Sequence, residues 1–199
     1  MTNQRRTVLR NDFNKETFIF TATDDPEVAR FGVVLGKGGS GGGNALVHVH
    51  PLAEERFVVS SGRVKVVVEG RERLIGPGED AIVPKGKPHY FVNGWDGDTT
   101  FTVEFRPAQQ HLLFFANFAR MTMEHPEWFS AKGDPDFLLI AACLHKFKDH
   151  IYLARPPAFV QKLLFAILAP VARLCGYAVE VNPIHTDGRS GDRAFVPAA

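Results

Sequence analysis

The sequence predicts an all-β core, an antiparallel sandwich or barrel, followed by a C-terminal α-helical extension. Two changes of pattern and one compositional bias predict it. Short runs with apolar alternation, separated by turn residues, occupy 16–106. After Pro107 the apolar spacing lengthens to that of helices. Seventeen Phe stand against three Tyr in 199 residues, a set suited to broad apolar packing surfaces.

The strands are expected at 17–21, 30–35, 45–50, 56–59, 64–68, 80–83, 89–92 and 99–105. In the last of these Phe101, Val103 and Phe105 share one face, since side chains alternate along a strand. Glycine, proline, serine and asparagine clusters at 36–43, 60–62, 69–70, 76–78, 85–88 and 93–98 supply the reversals. Many short strands at such intervals make a sandwich or barrel. Helices are expected at 110–123, 135–148 and 159–175. Asp134 is read as the N-cap of the second, with Pro135 in its first turn. Pro170 should kink or divide the third, because proline lacks the amide that continues the ladder. The division expected is residues 1–106 as barrel and 107–199 as a helical extension packed on it or on a partner subunit. The tail after Asn182 reads as loosely ordered.

Composition excludes several classes of function. The net charge of +1 offers no global field for nucleic acid, and no partner of that kind is expected. The apolar run in the third helix is cut by Lys162 and Arg173, well short of the roughly 17–25 residues that span a bilayer. The plainer reading is packing onto the barrel or the other helices, with a membrane surface or a partner subunit as alternatives. The opening MTNQRRTVLR has no following apolar core, which argues against a signal peptide and for a cytoplasmic, reducing location. Cys143 and Cys175 are expected as two core thiols in preference to a disulfide.

The chemistry concentrates in two stretches. His48 and His50 are two apart in an expected strand, so their imidazoles share a face and reach one ion. Glu55 opens the next strand with Phe57 and Val59 on its side, and Glu54 faces the other way. His89 follows the tight turn Pro84-Lys85-Gly86. Three imidazoles and a carboxylate suit Fe(II), Mn(II), Ni(II), Co(II) or Zn(II), and do not suit Ca(II). Four protein ligands leave an octahedral ion two positions for water, substrate or dioxygen. An isolated His-x-His pair is as easily two ordinary sheet histidines.

The two stretches together resemble the paired motifs of the cupin superfamily. Gly42, His48, His50, Glu55 and Gly62 match the first motif, and Gly78, Pro84, Gly86, His89 and Asn93 match the second. The resemblance implies a double-stranded β-helix, or jelly-roll, barrel over 30–106. It also implies metal ligands at His48, His50, Glu55 and His89 for one divalent transition metal ion, iron being the first expectation. The activity it implies first is a dioxygenase on a small apolar or aromatic substrate that brings oxygen atoms to the metal. Glu55 would serve as ligand and base, with Tyr90 as a second catalytic candidate. Non-oxidative lyase or isomerase chemistry and plain ligand binding are the other readings, and a homodimer is expected from the family habit.

The expected pocket wall is Phe57, Val59, Phe91, Phe101, Val103 and Phe105, with His111 and Phe115 capping the mouth from the first helix. The run Gly38 to Gly43 lacks the Lys-Ser/Thr end of a phosphate loop and reads as a flexible rim.

Overall fold

A computed structural model describes residues 6–21, 25, 27–41, 46–108, 110–181 and 184. Gly42 and Gly43 of the expected rim, Ala45 of the third expected strand and nearly all of the tail lie outside the described residues.

Two antiparallel sheets face each other. The larger has the order β1-β2-β3-β10-β5-β8. Its strands are β1 Arg6–Asn11, β2 Glu16–Thr21, β3 Ala29–Leu35, β5 Glu54–Ser61, β8 Asp80–Val83 and β10 Thr99–Arg106. The smaller has the order β11-β4-β9-β6-β7. It comprises β4 His48–Val49, β6 Val64–Val68, β7 Arg71–Ile75, β9 His89–Asn93 and β11 Tyr152–Leu153. The helices are α1 His111–Glu124, α2 Phe137–Lys146 and α3 Ala158–Leu174. This is the jelly-roll barrel with a C-terminal helical region that the sequence predicts.

The alternation of side chains decides which face is core. In β2 Phe18 and Phe20 are buried; in β3 Phe31, Val33 and Leu35; in β5 Glu55, Phe57 and Val59. They meet Val64, Val66 and Phe91 of the opposing sheet in one continuous hydrophobic core. Gly62 carries φ of 73°, and a Cβ there would sit 2.8 Å from Thr99 Cα, so the turn between β5 and β6 accepts only glycine.

The helical region is joined to the barrel at two places. α1 packs on β1, β2 and β3, and its Ala116 and Ala119 belong to the barrel core. β11 then adds a fifth strand to the smaller sheet, pairing Tyr152 with Val49 and Leu153 with His48.

Several local expectations are corrected. β1, β7 and β11 were not foreseen: β7 is exposed at all but its last residue and β11 is two residues long, so neither leaves a clear alternation. The N-cap of α2 is Asp136, whose carboxylate accepts from the Leu138 amide at 2.8 Å. Pro135 instead bridges to Phe129, and this keeps Asp134 outside the helix. α3 runs through Pro170 without a break, and Pro170 lies on its exposed side. Cys143 is buried, but Cys175 is exposed just beyond α3, so only one thiol belongs to the core. The glycine run is anchored at its start: Asn93 donates its amide to Gly39, and the Ser40 hydroxyl is buried against Glu16.

Candidate metal centre

The four ligand candidates come together between the two sheets. β4 carries His48, and His50 follows directly after it. β9 places His89 opposite His48 in register. Glu55 approaches from β5 of the other sheet, with Glu54 on the opposite, partly exposed face. One donor atom from each of the four lies within 4.8 Å of every other, and all four residues are buried. Donors held about 2.1 Å from one ion span a shell of similar width.

Backbone carbonyls set the orientation of each ring. His48 Nδ1 faces the Leu46 carbonyl at 3.0 Å, His50 Nδ1 the His150 carbonyl at 2.7 Å, and His89 Nδ1 the Lys87 carbonyl at 2.8 Å. A carbonyl only accepts, so each Nδ1 carries a proton, and the Nε2 of neutral His48 and His50 presents a lone pair. The Nε2 of His50 is buried without a hydrogen-bond partner among the described residues. An orphaned acceptor of this kind is costly, and a bound cation is the partner that removes the cost. Glu55 Oε2 is 2.7 Å from His89 Nε2 and 3.7 Å from His50 Nε2. The residues therefore fit a divalent transition metal.

Electrostatics favour the ligating forms of two rings. Burial pushes His48 down to about 4, with neighbouring His89 adding to the effect. Burial and the adjacent imidazoles hold His50 well below its ordinary value. Both are neutral near pH 7, the state that binds metal. His89 is raised: burial opposes its charge, but the Glu55 hydrogen bond and carboxylate outweigh that.

The motif glycine and asparagine act through the backbone. Gly86, at φ of 76°, turns its amide onto the His50 carbonyl at 2.8 Å. Asn93 donates to the carbonyls of Leu35, Gly36 and Gly97, each at 2.9 Å, and ties the end of β3 to the loop between β9 and β10.

A cavity of about 80 Å³ opens beside the cluster, with His48 and Glu55 in its wall. Of the expected wall residues, Phe91, Val103 and Phe115 line it. Phe57, Val59, Phe101 and Phe105 are instead packed in the core, where Phe57, Phe91 and Phe101 rings meet at centroid distances of 5.2–6.1 Å. The remaining wall comes from Phe18, Phe31 and Val33 of the larger sheet and from α1, α2 and β11. α1 packs on β1, β2 and β3, and α1 and α2 wall this side of the cavity.

Phe115 contacts Phe18, Phe31 and Phe105 and forms part of that closure. His111 stacks flat on Phe105, with centroids 4.1 Å apart and planes at 5°, and its Nε2 is 3.3 Å from the His150 carbonyl. It lies behind His50 and is not among the cavity-lining residues. Tyr90 lies on the face of β9 opposite His89 and Phe91, away from the cluster.

Sequence reasoning missed His150, which acts through its carbonyl, a group every residue carries. It also missed Glu16, a buried carboxylate in the cavity wall that accepts from Ser40 Oγ at 2.6 Å. The signal for Glu16 was available: it falls in phase with Phe18 and Phe20 on the inward face of β2.

A family model described as the cupin domain matches residues 33–104. No curated protein matches the chain. Among solved structures, the chain is similar to KdgF from Halomonas sp., at 19% identity and a TM-score of 0.45, over 52% of this chain and 89% of that one. It is similar to Pac13 of Streptomyces, described as a nucleoside dehydratase, at 12% identity and a TM-score of 0.42, over 52% and 77%. It is also similar to the DMSP lyase DddQ from Ruegeria pomeroyi, at 26% identity and a TM-score of 0.37, over 43% and 41%.

Proposed function

We propose, from the premise that residues 33–104 match the cupin domain, that the protein is a metal-dependent dioxygenase acting on a small apolar or aromatic, oxygen-bearing substrate. One observation carries this reading: a buried three-histidine, one-carboxylate cluster forms the polar end of an otherwise largely apolar cavity. A bound Fe(II), or another divalent transition ion, would supply Lewis acidity and sites for substrate oxygen and O₂.

This chain's residues do the rest. His48, His50, Glu55 and His89 hold the ion, and the Leu46, His150 and Lys87 carbonyls keep the three rings in the ligating tautomer. Phe18, Phe31, Phe91 and Phe115 exclude water and orient a flat or branched apolar body. Glu55 is the base: it lines the cavity, where its carboxylate, partly released from the ion, would accept the substrate's hydroxyl proton. A phosphorylated substrate is a poor match, since among the described residues no Lys or Arg lines the cavity.

The test is metal content of the untagged protein, followed by O₂ uptake with a panel of enols, phenols and thiols. Consumption of O₂ with one substrate class supports the proposal. Turnover of the same compounds without O₂ uptake replaces it with lyase or isomerase chemistry. Tight binding without turnover makes the protein a ligand-binding cupin.

A further inference from the structure

α3 is bound on one side and bare on the other. Gln161, Phe165 and Ala172 are buried at 0–2% exposure on the inner side. Gln161 pins the helix to the free edge of β11: its Nε2 donates to the Leu153 carbonyl at 2.7 Å, and its Oε1 accepts from the Leu153 amide at 3.1 Å. The helix is therefore fixed in place and is not waiting to fold back onto the barrel. Its outer side carries Phe159 at 74%, Leu163 at 68%, Ile167 at 62% and Leu174 at 89% exposure, with Val160 and Val171 beside them. At about 100° per residue these positions fill an arc of roughly 120°. Lys162 and Arg173 both fall along one border of that arc.

We propose that this face of α3 seats the protein on an anionic lipid surface, the apolar arc entering the acyl boundary and the basic border meeting the headgroups. The charge pattern selects this occupant. α3 contains no acidic residue. Lys148 shares a surface cleft with Lys162 next to the helix, and exposed Arg155 stands just ahead of it. Against these cations only Asp149 is acidic between Phe137 and Cys175, and it is already paired with Lys162 at 2.6 Å. Residues 137–175 thus carry five Lys and Arg against one Asp, in a chain whose net charge is +1.

Two other occupants fit less well. A second copy packed antiparallel would set identical basic borders against each other. A 17-residue helix, about 26 Å long and roughly 10 Å wide, also offers well under the roughly 800 Å² per partner of a stable interface. The chain's own residues 185–199 contain a single large-apolar pair, Phe195-Val196, too little to cover six exposed side chains. No helix among the described residues is long and apolar enough to cross a membrane, so the mode is lying on the surface.

The experiment is co-sedimentation of the full chain with vesicles of phosphatidylcholine containing about 30% phosphatidylglycerol, beside vesicles of phosphatidylcholine alone. Sedimentation with the anionic vesicles is expected, weakened by about 0.5 M salt as screening shortens the reach of the cations. Leu163→Glu with Ile167→Glu should lower the bound fraction at least about ten-fold while leaving the thermal midpoint near wild type, because both side chains are exposed. If that double variant fails to fold, Phe159→Ser at the helix start makes the same test at lower structural risk. Absence of anionic-vesicle binding overturns the proposal, as does equal binding to phosphatidylcholine alone. A dimer in light scattering that L163E/I167E converts to monomer, without vesicle binding, assigns the face to a second copy and also overturns it.

Discussion

Replacing Glu55 by glutamine separates a metal ligand from a structural ion pair. Glu55 Oε2 and His89 Nε2 are 2.7 Å apart, both residues being nearly fully buried. Glutamine has the same shape. Its amide donates to the Nε2 of a neutral His89, whose Nδ1 still donates to the Lys87 carbonyl at 2.8 Å. A charge-assisted bond worth about 1.5–3 kcal/mol becomes a neutral one worth about 0.5–1.5 kcal/mol. The desolvation of two buried charges is removed at the same time. Metal-free E55Q should therefore lie within about 1 kcal/mol of wild type at pH 7. His89→Ala is the contrast: it strands a buried carboxylate and should cost about 3–5 kcal/mol.

The pH dependence carries a sign. The raised His89 value contributes stability that is complete below about pH 6.5 and lost as pH rises through the folded value. E55Q should abolish that component, so it gains on wild type above pH 6.5. Metal affinity should fall by more than the roughly 10–100-fold that changes behind the ligands produce. Urea unfolding of chelator-treated protein from about pH 5 to 9, with calorimetric titration of Mn(II) or Co(II), reads both quantities. A loss above about 3 kcal/mol with metal affinity unchanged would refute the reasoning and make the pair purely structural.

Other perturbations address neighbouring parts of the site. Burial holds His48 and His111 at about 4, whereas the unfolded rings titrate near 6.5, so the unfolded chain binds protons first. Metal-free protein should lose up to about 3 kcal/mol per ring as pH falls from about 6.5 to about 4, and a flat urea profile there would contradict it. His111→Phe keeps the stack on Phe105 but loses the contact to the His150 carbonyl. It should weaken metal binding about ten-fold in calorimetry, with little change in stability. Phe115→Ala should change substrate affinity more than metal content, because it alters the cavity wall and no ligand. Elemental analysis beside a binding isotherm reads that split. A chain ending at residue 149 keeps all four ligand side chains but lacks β11 and the His150 carbonyl. It should purify without metal, whereas wild-type metal content in it would make the barrel self-sufficient.

The ligand set was legible in the sequence because each member leaves a local trace. His48 and His50 share a strand face, Glu55 is in phase with Phe57 and Val59, and His89 follows a glycine turn. The barrel was legible for the same reason, in the alternation of β2, β3, β5 and β10. The cavity was not, since strand phase shows which residues point inward and not which of them meet a partner. Phe57, Phe105 and Phe31 all point inward into the core, but Phe31 alone of the three also lines the cavity. Pro170 misled because the rule against helical proline concerns a lost bond, and that bond falls on the exposed side of α3. His150 was beyond reach, because its role belongs to the main chain and depends on a pairing 100 residues away.

That pairing fixes when the site can exist during the life of the chain. Synthesis proceeds from the N-terminus, so all four ligands are in hand once His89 has emerged. The strand that flanks His48 and the carbonyl that orients His50 arrive only after residue 150. Contacts this distant in sequence form late, because the loop between them must close first. A nascent barrel thus lacks the carbonyl that orients His50 until the helical region is made, while His48 and His89 already have theirs. The helical region would thereby tie acquisition of a metal to completion of the site.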